Sequence, residues 1–97
     1  MANAQGTATI DFGPFPGKFE VSVAVTGQTA ISAGSKAEAF VMGDDTSGSH
    51  SAADHRLMDS ITGFTCGTPT AAVGFTIYAT SQQRIIGTYQ VRWVWAD

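Results

Sequence analysis

An all-β fold, a six-stranded antiparallel β-sandwich, is predicted by three features of the sequence. Apolar residues recur at every second position in several short segments, as on the half-buried face of a strand. Glycine, proline and small polar residues interrupt those segments at short intervals. The final segment keeps its large aromatics on one side. The chain has 97 residues, which suits one domain covering positions 1–97.

The first strand is predicted at residues 7–12. It ends at Gly13-Pro14-Phe15-Pro16-Gly17, where two prolines remove amide donors. In the second strand Phe19, Val21, Val23 and Val25 share one face, and Glu20, Ser22, Ala24 and Thr26 share the other. Residues 37–42 form a third. Ala37, Glu38 and Ala39 are good helix formers, but the interval between Gly34 and Gly43 is short for a helix. Residues 43–55 have the composition of a loop. At its end Ser51 is placed to cap a single helical turn, with Asp54 completing a capping box. A fourth strand follows over residues 57–65, a turn at Gly67-Thr68-Pro69-Thr70, and a fifth strand over residues 73–79. Ser81-Gln82-Gln83 reads as the turn of a hairpin leading into the closing strand. There Ile85, Gly87, Tyr89, Val91, Trp93 and Trp95 alternate with Ile86, Thr88, Gln90, Arg92 and Val94.

Five Lys and Arg against eight Asp and Glu give a net charge of -3. No basic run is present to neutralise phosphates, so nucleic acid is not an expected partner. The first five residues lack the cationic start and apolar centre of a secretory signal. No apolar run approaches the ~20 residues of a membrane span. Synthesis in a cytoplasm and no membrane insertion are the expectations. Cys66 is the only cysteine, which excludes an intrachain disulfide and leaves a buried small hydrophobe or a bridge between chains. Small domains without disulfides or metals gain stability by oligomerising. Charged residues are only 13% of the chain, against ~25% in ordinary domains. Either partner subunits cover part of the surface, or Ser, Thr, Gln and Asn supply its polarity.

The ingredients of a catalytic triad occur together in the long loop: Ser47, Ser49, Ser51, His50, His55, Asp44, Asp45 and Asp54. They share one segment with no rigid element to fix their geometry, so no enzyme is expected. The order of possible ligands matches no calcium loop or zinc pattern, and neither metal nor cofactor is expected. Trp93 and Trp95 lie two apart and point the same way. Trp93 reads as core, and Trp95 as core or as a subunit contact, where tryptophan is enriched.

The segments Gly74-Phe75-Thr76-Ile77-Tyr78-Ala79 and Arg84 to Trp95 resemble the final hairpin of H-type lectin domains. Gly6 to Phe12 and Phe19 to Val23 are similar to that family's opening strands. The resemblance implies an H-type-lectin-like sandwich that assembles as trimers or stacked trimers, hence hexamers. The family binds sugar with an aromatic in the final turn and a nearby arginine. Here Ser81-Gln82-Gln83 has no aromatic, so the implied host-glycan crevice falls to Arg56, Gln82 and Arg84. The whole chain also resembles short tailed-bacteriophage proteins, through Ala4 to Gly13, Ala53-Asp54-His55, Gly74 to Ala79 and Trp93-Val94-Trp95. That implies a non-enzymatic virion component, made in the host bacterial cytoplasm and contacting other virion proteins. Asp44, Asp45, His50, Asp54, His55 and Trp95 are its expected contact residues. The assembly expectation rests on the aromatic side of the closing strand needing cover from further copies.

Overall fold

The closing segment builds the centre of one layer. Strand β6 (Thr88–Ala96) lies between β1 (Asn3–Asp11) and β3 (Lys36–Phe40), antiparallel to both. The computed structural model describes residues 2–97. In the second layer β5 (Phe75–Ile85) lies between β2 (Lys18–Val25) and β4 (Thr62–Cys66), again antiparallel. The described residues thus form an all-β sandwich of two three-stranded sheets, with one helix, α1 (Ala52–Ile61), leading into β4. Among the described residues no helix is long and apolar enough to cross a membrane.

Two expectations are corrected. The predicted fourth strand over residues 57–65 is helical as far as Ile61, and the strand occupies only Thr62–Cys66. The capping box of Ser51 and Asp54 forms as the sequence indicates, but the helix it starts runs ten residues rather than one turn. Burial of His55 and Met58, three apart on one helical face, holds it to the body of the protein. The second correction concerns Ser81-Gln82-Gln83. These residues continue β5, which ends at Ile85, and the reversal falls at Ile86-Gly87. Gly87 adopts φ +81°, a left-handed conformation that glycine takes without strain. No β5–β6 hairpin exists, because the two strands belong to different sheets and the reversal carries the chain across the sandwich.

The alternation in β6 does set the core. Tyr89, Val91, Trp93 and Trp95 are all buried, and they meet Ile10, Phe12, Phe75, Ile77 and Ala79. Phe75 stands edge-on to Trp93 at 5.7 Å, and Phe12 edge-on to Tyr89 at 5.9 Å, the favoured geometry for aromatic pairs. Trp93 is 7% exposed and Trp95 only 2%. Both indole N–H groups are satisfied within the chain: Trp95 donates to Gln28 Oε1 at 3.0 Å and Trp93 to the Thr7 carbonyl at 3.3 Å. A single copy therefore covers the aromatic side of the closing strand, and that argument for assembly does not stand.

Trp93 reaches the Thr7 carbonyl by crossing Gly6. A β-carbon at Gly6 would sit 2.5 Å from Trp93 Cζ2, so only glycine lets the indole lie flat against β1. Gly6→Ala is expected to lower stability by about 1–3 kcal/mol through overpacking. Urea unfolding followed by tryptophan fluorescence measures it, and an unchanged midpoint refutes the close approach.

Candidate functional site

The capping box positions a wall of side chains at one end of the sandwich. Asp54 N–H donates to Ser51 Oγ at 3.3 Å, and Ser51 N–H donates back to Asp54 Oδ2 at 3.2 Å. The Ser51 amide, and after it the His50 ring, hold the Asp54 carboxyl below the usual carboxylate range. His50 Nδ1 lies 3.3 Å from Asp54 Oδ2. Its Nε2 is 2.8 Å from the Ile86 carbonyl, which only accepts, so Nε2 carries a proton. The ring stacks on Tyr89 at 4.1 Å and 8°. His50 thus ties the start of the helix to the β5–β6 reversal and to the core.

These residues form the polar side of an open cleft of about 300 Å³ between α1 and the end of β5. Met58, Ile61, Ile85 and Tyr89 form its apolar lining, with Leu57 and Ile86 at its rim. Leu57 is 66% exposed. Arg84 borders the cleft and places its guanidinium 5.0 Å above the ring of Phe19, itself half exposed. Phe15 is 85% exposed on the nearby β1–β2 loop. That loop packs so closely on the reversal that a β-carbon at Gly17 would strike the backbone of Ile85.

His55 does not line the cleft but packs beneath it on Tyr89, and it is 0% exposed. Its Nδ1 donates to the Ser51 carbonyl at 2.8 Å, so Nε2 is the acceptor, taking the Gln90 N–H at 3.0 Å. β3 pairs with β6 only as far as Arg92, which leaves the Gln90 amide without a strand partner on that side. The imidazole takes the place of the missing carbonyl.

Asp45 closes the same gap. It is buried, accepting the Met42 N–H at 2.8 Å through Oδ2 and Arg92 Nε and Nη2 at 2.9 and 2.7 Å through Oδ1. Burial alone would raise the Asp45 carboxyl. The Arg92 hydrogen bonds, the Met42 amide and the Arg92 charge together outweigh burial and bring it below its ordinary value. Arg92 is correspondingly raised, by its hydrogen bonds to Asp45.

The expected site residues therefore separate. Arg84 borders the cleft, whereas Arg56 turns away and donates to the Gly43 carbonyl at 2.6 Å. Gln82 is exposed on β5. Of the expected contact residues, Asp45, His55 and Trp95 are interior, which leaves Asp44, His50 and Asp54 at or near the surface. Each loop serine has another occupation. Ser47 Oγ donates to the Thr88 carbonyl at 2.6 Å, Ser49 Oγ pairs with Thr88 Oγ1 at 3.0 Å, and Ser51 caps the helix. Among the described residues no serine hydroxyl is hydrogen-bonded to either imidazole, and no group of three or more His, Cys, Asp or Glu is placed to hold a metal ion. Burial, and then the nearby Glu38 charge, push the half-buried Cys66 thiol up, away from the reactive thiolate. At the cleft, His50 and Asp54 are engaged in bonds within the fold, and Arg84 lies over Phe19.

Comparison with protein families, with curated proteins and with solved structures found no match to this chain.

Proposed function

We propose that the protein is a non-enzymatic, self-assembling structural component of a tailed-bacteriophage particle, either a tail appendage or a capsid decoration. One observation carries the assembly part of this reading. The imidazoles, the loop serines and the buried carboxylate are bonded within the fold, while Phe15, Phe19, Leu57 and Ile86 stand in solvent around one end of the sandwich. Large apolar side chains left together at a surface mark an interaction site. The virion part rests on the resemblance of the opening, central and closing segments to short phage proteins. Mass spectrometry of purified particles tests it: the protein is expected at stoichiometric copy number, and its absence from particles overturns the assignment.

A glycan-binding reading is favoured by a different observation, the half-exposed Phe19 ring beside Arg84. An exposed arginine donor over a half-exposed aromatic ring offers a pyranose both hydrogen bonds and an apolar contact. On this reading a glycan array gives a defined set of ligands, and Arg84→Ala lowers affinity at least tenfold without changing thermal stability. An array with no binding at high protein concentration refutes it.

A further inference from the structure

We infer that the outer edge of β1 is a dimerisation strand, which pairs antiparallel with β1 of a second copy to join two three-stranded sheets into one of six. The inference rests on the self-assembly reading above and adds to the apolar end of the sandwich a second interface along a sheet edge.

A three-stranded sheet has two open edges, so the sandwich has four, and open edges invite pairing unless something blunts them. Three of the four are blunted. β3 is five residues long and carries Lys36 and Glu38. β4 is also five residues long. β2 slips register between Lys18 and Glu20, both charged. By contrast β1 runs nine residues with an unbroken register, no proline, and a single charge at its last position, Asp11. It is the one edge in this fold that is long, regular and uncharged along its middle.

Its backbone geometry is suited to a copy of itself. The ladder to β6 is bounded by Asp97 N–H donating to the Ala2 carbonyl and by Phe12 N–H donating to the Gly87 carbonyl. With the register Asn3 to Ala96 through Asp11 to Thr88, the even-numbered residues of β1 bond to β6. Asn3, Gln5, Thr7, Thr9 and Asp11 therefore direct their amides and carbonyls outward. The Thr7 carbonyl already accepts the Trp93 indole N–H and keeps a second lone pair. In an antiparallel pair centred on Thr7, Thr7 faces the partner's Thr7, Gln5 faces the partner's Thr9, and Asn3 faces the partner's Asp11. About ten backbone hydrogen bonds form, two for each facing pair. The only charged residue meets an asparagine, whereas a register that set Asp11 against the partner's Asp11 would oppose like charges. All five side chains are exposed, so none must leave the core.

Light scattering tests the inference. Wild type is expected to have an even multiple of the 10.1 kDa chain mass. Thr7→Lys sets two lysines face to face and is expected to halve that mass, as is Thr7→Glu. Mixing the two variants restores it, because each lysine then meets a glutamate. Thr7→Pro removes an outward amide that β6 does not use, and is likewise expected to halve the mass. Ser22→Lys, on the edge of β2, leaves it unchanged. Near-ultraviolet circular dichroism checks that each variant keeps its core. A single-chain wild type at hundreds of micromolar overturns the inference. So does a mass that Thr7→Lys leaves unchanged, or no recovery on mixing. A wild-type trimer indifferent to Thr7→Lys removes this interface but leaves the self-assembly reading in place. Absence from phage particles removes the virion assignment and leaves the edge result untouched.

Discussion

Replacing His55 with alanine is expected to destabilise the protein by about 3–5 kcal/mol, on the scale of aromatic-to-alanine changes in cores. Two effects add. The ring is fully buried and stands edge-on to Tyr89 at 4.9 Å, so its removal opens a cavity beneath the helix. The partly buried Gln90 amide also loses its acceptor on the open side of β6, at a cost towards the low end of the ~1–3 kcal/mol of a buried donor left unmet. The midpoint of thermal unfolding should fall by more than about 12 °C, since each kcal/mol moves it by ~4–8 °C in a domain of this size. His55→Gln separates the two effects, because its amide oxygen is able to accept from Gln90 while filling less space. It is expected to recover part of the loss. If His55→Ala unfolds within a few degrees of wild type, the imidazole does not complete the β6 ladder.

The second large effect is expected at Asp45, and it depends on pH. The folded carboxyl lies below its ordinary value, as the Arg92 and Met42 hydrogen bonds outweigh the upward push of burial. Stability from this group is then fully present above the unfolded carboxylate value of ~3.9. It is lost as pH falls through the lower folded value. Asp45→Asn should therefore reduce stability by about 1.5–3 kcal/mol at neutral pH, the range for hydrogen bonds to a charged group. It should also flatten the acid limb of the stability profile. Asp54 and Asp97 are lowered as well, by the Ser51 amide and His50 and by Ser35 Oγ and the Ala2 amide, so some acid sensitivity persists in the variant. Urea unfolding at neutral pH and again below pH 4 provides the comparison. Equal losses at both values contradict the ionised, arginine-paired Asp45.

Local pattern makes part of this molecule readable in advance. β6 buries alternate residues along its length and β2 shields them from Val21 to Val25, so both are recognised by period two alone, and the cap of α1 is recognised from Ser51 and Asp54. The rest of the helix is hidden because residues 57–65 satisfy a strand pattern nearly as well. Positions 54, 57, 58 and 61, which face the cleft, have helical spacing, and that is the signal available in the sequence. The true reversal is hidden for a related reason. Gly87 falls in phase with Ile85 and Tyr89, so a crossing between sheets looks like continuous strand, while the polar run Ser81-Gln82-Gln83 looks like a turn. Arg84, His50 and Asp54, named in advance only through the resemblances and the loop composition, lie at the cleft. The pairing of Asp45 with Arg92 joins residues 47 apart in the chain and leaves no local trace.

The central place of β6 in its sheet has a consequence for biosynthesis. β1 and β3 are both made earlier, and each waits for the same late strand before either can enter a hydrogen-bonded layer. Residues 2–87 therefore leave the ribosome before that layer has a middle, and closure over such long sequence separations is slow. During this interval the early strands are unpaired and open to chaperones or to neighbouring nascent chains, the aggregation-prone stage of folding.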